Sequence, residues 1–297
     1  MSGEKRGIVL KGIGGFYYVL DDEKTVYECK AGGRLRLGTI SPVAGDIVSF
    51  ELCGEDGLIT EIRPRKNSLT RPPVANIDRL FIVGSQASPS TDPFLIDKVT
   101  VIALRQDITP IILLNKCDID PCDELYDIYT AAGFHVIRVS AVTGQGIDEV
   151  RDLASHGISC FTGNSGIGKS SILNALMPNR NLLVGRISAK IARGRHTTRQ
   201  SELFPCGDGY VIDTPGFSSF DVTRMEYIKK DELQHYFPEI TGYFDKCRFA
   251  GCAHIKEPGC AVRQRVKDGE ISKSRYLSYK KLYEEVSKIK DWERKGI

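Results

Sequence analysis

The chain has 297 residues, 41% of them hydrophobic and 27% charged, with a formal net charge of +3. Those proportions exclude a disordered, collagenous or coiled-coil protein and leave enough chain for one large domain or two to three small ones with a real core. No apolar run is long enough to span a bilayer, and the opening MSGEKRGIVLKG lacks the apolar stretch of a secretory signal, so a cytoplasmic chain without membrane association is expected.

Residues 1–70 read as five short strands, Gly7–Leu10, Phe16–Leu20, Thr25–Cys29, Asp46–Glu51 and Leu58–Ile62, separated by Gly-Gly, Asp-Asp and Ser-Pro turns. Without a helical period they predict a small all-β barrel, either of the oligonucleotide-binding (OB) kind or SH3-like. Arg71-Pro72-Pro73 closes the region as a stiff linker. From there to about Phe220 the pattern is a partial strand–helix alternation. The strands are Leu80–Gly84, Ile111–Asn115, Val136–Ser140, Ile158–Gly163 and Tyr210–Asp213, and the helices Phe94–Arg105, Asp123–Ala132 and Ser170–Leu176. That predicts a central α/β domain over 71–220, built on a parallel sheet whose ligands sit at the carboxyl ends of its strands.

Polar motifs fall at those ends. Gly163-Asn164-Ser165-Gly166-Ile167-Gly168-Lys169-Ser170, followed by Ser171, matches the phosphate-binding P-loop between a strand and a helix. Its glycines let main-chain N–H groups turn toward phosphates, Lys169 reaches the outer phosphates, and Ser170 can hold magnesium. Asn115-Lys116-Cys117-Asp118 matches the guanine-reading Asn-Lys-x-Asp motif. A carboxylate at Asp118 accepts from the guanine N1–H and 2-amino group, a donor pair that adenine lacks. Ser140-Ala141 matches the short loop that backs the base. Asp213-Thr214-Pro215-Gly216 matches Asp-x-x-Gly, in which Asp213 holds magnesium through water and the Gly216 amide senses the γ-phosphate. GTP with magnesium is therefore the expected ligand. The order is permuted, because Asn115–Asp118 and Ser140-Ala141 precede the P-loop instead of following it. Sheet geometry does not depend on chain order, so the site can survive the permutation.

A run of cations, Arg180, Arg186, Lys190, Arg193, Arg195 and Arg199, lies in a stretch with no acid between Asp152 and Glu202. It reads either as a solvated loop or as a contact for phosphate. The same stretch holds His196 beside Thr197 and Thr198, one of which is expected on magnesium. Phe217 stands where Ras-like GTPases carry the glutamine that orients attacking water, so intrinsic hydrolysis should be slow. His196 is the candidate replacement in catalysis, the alternative being an exposed loop histidine.

Residues 221–297 predict a mostly helical zinc-binding domain. Cys247, Cys252, His254 and Cys260 supply three thiolates and an imidazole, a closed tetrahedral set suited to one structural zinc. Tyr279, Leu282, Tyr283, Val286 and Ile289 recur at helical spacing, with lysines largely on the other face.

The permuted order, GNSGIGKSS, NKCD, DTPGF, GRHTT at Gly194–Thr198 and CRFAGCAHIKEPGC together resemble the RsgA (YjeQ) family of circularly permuted GTPases. The resemblance covers nearly the whole chain. It implies an OB barrel, a permuted GTPase domain and a zinc domain, with the small ribosomal subunit and its rRNA as partner. The expected function is a GTPase, acting as a monomer, that assists late maturation of that subunit and is released on hydrolysis. The alternative is a guanine-nucleotide-gated RNA-binding module in which hydrolysis is incidental.

Overall fold

The computed structural model describes residues 4–33, 35, 40–54, 56–70, 73–178, 201–213 and 228–289. The chain forms two compact units, one of Met1–Leu80, Ile147–Phe161 and Ser170–Phe217, the other of Phe81–Gly146, Thr162–Lys169 and Ser218–Ile297.

In the first unit, β1 (Lys5–Ile13), β2 (Phe16–Asp21), β3 (Val26–Ala31), β4 (Ile47–Cys53) and β5 (Asp56–Ile62) close into a barrel in the order β1-β2-β3-β5-β4. Every pairing is antiparallel except β3 with β5, where Cys29 faces Gly57 and Ala31 faces Ile59 in parallel register. This closed five-stranded arrangement is the OB barrel, which decides between the two expected kinds. Alternate residues point inward, and Val9, Val19, Cys29, Val48, Phe50 and Ile59 form the core. At the end of β2, Asp21 is buried and accepts from Lys5 Nζ at 2.8 Å and from the Thr25 main chain at 2.8 Å, tying the β2–β3 turn to β1.

A six-stranded sheet has the order β10-β9-β8-β11-β13-β12. Its strands are β8 (Arg79–Gly84), β9 (Thr109–Leu114), β10 (His135–Arg138), β11 (Ile158–Thr162), β12 (Glu202–Cys206) and β13 (Gly209–Asp213). A short pair, β6 (Ser68–Thr70) and β7 (Pro73–Ala75), precedes it. β9 runs parallel to β10, and β11 parallel to β13. β12 pairs antiparallel with β13 through the Cys206–Gly209 turn and was not anticipated from the sequence, where Glu202 and Pro205 break its apolar pattern. The interior strands read as unbroken apolar runs because both faces are covered. Lys11 on β1 reaches Glu202 on β12 at 2.7 Å, an ion pair that joins the barrel to the sheet within the first unit.

The helices of the central region are α1 (Pro93–Arg105), α2 (Asp123–Ala131), α3 (Ile147–Ala154) and α4 (Lys169–Leu176). Asp92 caps α1 by accepting from Phe94 N at 2.9 Å, and Pro93 fits the first turn, where no N–H is required. The C-terminal region carries α5 (Pro238–Thr241), α6 (Ala261–Lys267) and α7 (Lys273–Lys288). On α7 the buried side chains are Arg275, Ser278, Tyr279, Leu282 and Val286, while Ile289 falls just beyond the helix. The fold class is thus an N-terminal OB barrel, a central α/β region and a C-terminal helical region with a Cys/His cluster. No helix among the described residues is long and apolar enough to cross a membrane.

Candidate functional site

β11 is buried along its length and delivers the chain into the Gly163–Gly168 turn, after which α4 begins at Lys169. Gly163 and Gly168 have φ of +145° and +99°, conformations that L side chains rarely adopt. At Gly168 space is a second constraint, because a Cβ there would overlap the Asn115 side-chain amide. Ile167 anchors the turn in the core, whereas Ser165, Gly166, Ser170 and Ser171 are exposed. Lys169 Nζ donates to the carbonyls of Gly163 at 2.6 Å and Asn164 at 2.8 Å, folding back over the loop whose phosphate it would contact. Burial holds its pKa below the ordinary lysine value.

The guanine-type motif follows β9. Asn115 is buried, its main-chain N–H donates to Gly84 O at 2.8 Å, and its Nδ2 donates to Ile167 O at 2.8 Å. The motif that should read the base is thereby fastened to the loop that should hold the phosphates, within the second unit. Asn115 Oδ1 is buried without a partner among the described residues. Lys116 takes a φ of +67° and its Nζ reaches Ser88 O at 2.6 Å, while Asp118 is exposed. Cys117 N donates to Val139 O at 3.2 Å, which sets this turn beside the loop after β10. There Ser140 is buried and closes its own turn, its Oγ accepting from Thr143 N at 3.1 Å and its carbonyl from Gly144 N at 2.9 Å. Ala141 is half-buried beside it.

Cys117 and Cys122 share a hydrogen bond that pushes the Cys117 thiol up and draws Cys122 down from the usual range. Sequence reasoning missed the Ser85–Thr91 loop, which supplies the Ser88 carbonyl and whose Gln86 accepts from Leu125 N at 3.1 Å. Its position after the β8 carboxyl end was the available signal.

Asp213 ends β13, one residue beyond the Cys160–Ile212 pair of the β11–β13 ladder. Its side chain lies outside the described residues, as do Gly216, Phe217, His196, Thr197, Thr198 and the basic run from Arg180 to Arg199.

In the C-terminal region the ligand atoms of Cys247, Cys252, His254 and Cys260 all lie within 4.8 Å of one another. Cys247 Sγ is 4.0 Å from Cys260 Sγ, and His254 Nδ1 is 3.6 Å and 3.4 Å from these two sulfurs. Tetrahedral zinc, with Zn–S of about 2.3 Å and Zn–N of about 2.0–2.1 Å, needs ligand separations of roughly 3.5–3.8 Å. The separations among Cys247, His254 and Cys260, 3.4–4.0 Å, bracket that range. Main-chain N–H groups also point at its sulfurs, Ala261 N at 3.4 Å from Cys247 and Arg263 N at 3.5 Å from Cys260. Burial pushes the Cys252 thiol up to about 12 and lowers His254, so this packing favours neutral groups unless a cation balances the thiolates. A Cys3His cluster of this kind can bind one zinc.

A phosphate-loop turn clasped by a base-type motif that precedes it in the chain defines a circularly permuted P-loop GTPase. The chain belongs to the RsgA GTPase family. The family's GTPase model matches residues 62–223 and its N-terminal domain model residues 6–59. It is 42% identical over 286 residues to the small ribosomal subunit biogenesis GTPase RsgA of Caldanaerobacter subterraneus subsp. tengcongensis, covering 95% of each chain. It is 41% identical over 288 residues to that of Halalkalibacterium halodurans, covering 95% of this chain and 97% of the other. Among solved structures it is similar to YloQ, described as a circularly permuted GTPase, with a TM-score of 0.80 at 34% identity, covering 97% of this chain and 96% of that one. It is likewise similar to YjeQ from Thermotoga maritima, with a TM-score of 0.81 at 33% identity, covering 97% and 100%.

Proposed function

We propose that this GTPase binds the small ribosomal subunit through its rRNA, assists late maturation, and is released when GTP is hydrolysed. The relatives' shared name supports this reading over an RNA-binding module with incidental hydrolysis. The observation that carries the nucleotide chemistry is the bond from Asn115 Nδ2 to Ile167 O, which joins the base motif to the P-loop across the permutation.

In this reading Asp118 accepts from the guanine edge, and Asn115, Lys116, Cys117, Ser140 and Ala141 frame the base. The Gly163–Ser171 turn cradles the phosphates with its main-chain N–H groups. Lys169 leaves the Gly163 and Asn164 carbonyls for the outer phosphates, and the anion it meets there favours its charged form. Ser170, one of Thr197 and Thr198, and Asp213 through water would hold magnesium, which would supply positive charge against that developing on the phosphates. Gly216 reports the γ-phosphate, and His196 orients the attacking water in place of a glutamine. Zinc held by Cys247, Cys252, His254 and Cys260 cross-links the C-terminal region and takes no part in hydrolysis. The working divisions are 1–70, 71–220 and 221–297, in a monomer placed in the cytoplasm where ribosomal subunits are made.

The test is GTP turnover with and without small subunits, for the wild type and His196→Ala. Subunits should raise the wild-type rate, and the variant should lose ~10²-fold or more of the stimulated rate while still binding GTP. Turnover indifferent to subunits would overturn the partner, and full stimulation in His196→Ala would remove that histidine from the reaction.

A further inference from the structure

A metal-bound histidine is ordinarily steered by an acceptor on its second ring nitrogen. Among the described residues, His254 has no such acceptor. Nδ1 faces the cluster sulfurs, whereas Nε2 is buried with no hydrogen-bond partner among the described residues. Phe244 stacks on the ring with centroids 5.9 Å apart and planes 11° from parallel, which fixes the plane of the imidazole. Stacking does not fix the direction in which the ring leaves the chain. That is set by the backbone at residue 254, whose φ of +60° is a conformation a non-glycine residue holds only against a cost.

The main chain on both sides of this residue is pinned. Glu257 Oε1 accepts from Ala253 N at 3.0 Å, and Oε2 accepts from Ile255 N and Lys256 N at 2.9 Å each. From α7, Tyr279 donates to Ala253 O and Tyr276 to His254 O, both at 2.8 Å. Both carboxylate oxygens are therefore engaged by amides, and Glu257 stands outside the Cys247, Cys252, His254 and Cys260 ligand set. Three N–H groups converging on one anion make a main-chain nest with its counter-charge supplied by the chain itself.

We infer that Glu257 is a positioning residue of the metal centre: its carboxylate gathers the amides of residues 253, 255 and 256 and so holds His254 in the left-handed conformation that presents Nδ1 to the metal. The two tyrosines complete the hold from the carbonyl side. This inference rests on the zinc reading above. It replaces the usual steering of the imidazole ring by steering of the backbone beneath it.

The test uses the full chain purified without chelator. Zinc content is measured by atomic emission, zinc transfer by a chromogenic pyridylazo chelator, and ligand geometry by the visible spectrum of the cobalt-substituted protein. Glu257→Ala should transfer zinc roughly 10–100-fold faster than the wild type and change the intensity of the cobalt bands. Glu257→Gln keeps one acceptor oxygen and should fall between. Wild-type transfer and an unchanged cobalt spectrum in Glu257→Ala would overturn the role. Should that variant fail to fold by circular dichroism, Glu257→Gln and Tyr276→Phe decide, and wild-type transfer in both overturns it. A wild-type chain without zinc overturns the zinc reading itself and is seen before any variant is made.

Discussion

Asn115 Nδ2 donates to the Ile167 carbonyl at 2.8 Å, and the same amide occupies the space that a side chain at Gly168 would need. Gly168→Ala should therefore damage two things together, the left-handed turn and the seat of Asn115. GTP affinity should fall by at least ~10-fold, since the loop must rearrange before its N–H groups can converge on phosphate. Equilibrium binding of a fluorescent guanine nucleotide measures it. Wild-type affinity would mean that the clasp is dispensable.

Base choice is tested at Asp118, which is exposed at the edge of that clasp. Asp118→Asn loses a carboxylate acceptor for two guanine donors and should weaken GTP on the order of 10²-fold. Xanthosine triphosphate, whose 2-oxo group can accept from the new amide, should gain. Competition binding with the two nucleotides reads the switch.

The barrel should be acid-sensitive through Asp21. Burial works to raise its pKa, but the bond from Lys5 and the Thr25 N–H outweigh it and hold the carboxyl below its ordinary value. A depressed folded pKa contributes stability that is present above the unfolded value and lost as pH falls through the folded one. Asp21→Asn should thus lower the thermal midpoint by a few degrees at neutral pH. The gap between variant and wild type should close in acid below the ordinary aspartate range, which calorimetry across pH would follow.

Arg275 is buried with Asp97 at 2.6 Å and with Glu239 at 2.7 Å, its guanidinium stacked over Phe237 and Phe134. Arg275→Met leaves two carboxylates without their cation and should cost about 3–5 kcal/mol. Arg275→Met with Asp97→Leu and Glu239→Leu should recover much of that loss. Denaturant unfolding of the two variants checks both statements.

The nucleotide loops and the zinc ligands were legible in the sequence because their chemistry demands fixed residue types at short spacing. Gly163–Ser170, Asn115–Asp118 and Cys247–Cys260 each lie within a single stretch of chain. The barrel type was not legible, since it turns on the parallel pairing of β3 with β5, a contact between strands that are not consecutive. Nor was Arg275, which reads as one more cation on a basic helix. Its burial depends on Asp97, 178 positions away, and Glu239, 36 away. On α7, Tyr279, Leu282 and Val286 of the expected apolar stripe are buried, but Tyr283 is only half-buried and Ile289 follows the helix. The Ser85–Thr91 loop escaped notice because it acts on Lys116 through the main-chain carbonyl of Ser88, and a carbonyl leaves no mark in residue type.

The Arg275–Asp97 pair has a consequence for dissection. α7 also lays Lys281 over the Phe94 ring at 3.6 Å and joins Glu285 to Lys98 at 2.8 Å, so it covers α1 along three turns of its own length. A chain cut after residue 227 would keep every guanine motif yet strip α1 of its cover, leaving Asp97 without its cation and the Tyr129 hydroxyl as its remaining partner. Such a fragment should aggregate or lose α1 before its nucleotide affinity could be measured. Arg275, Lys281 and Glu285 should thus be part of what keeps the nucleotide-binding region soluble.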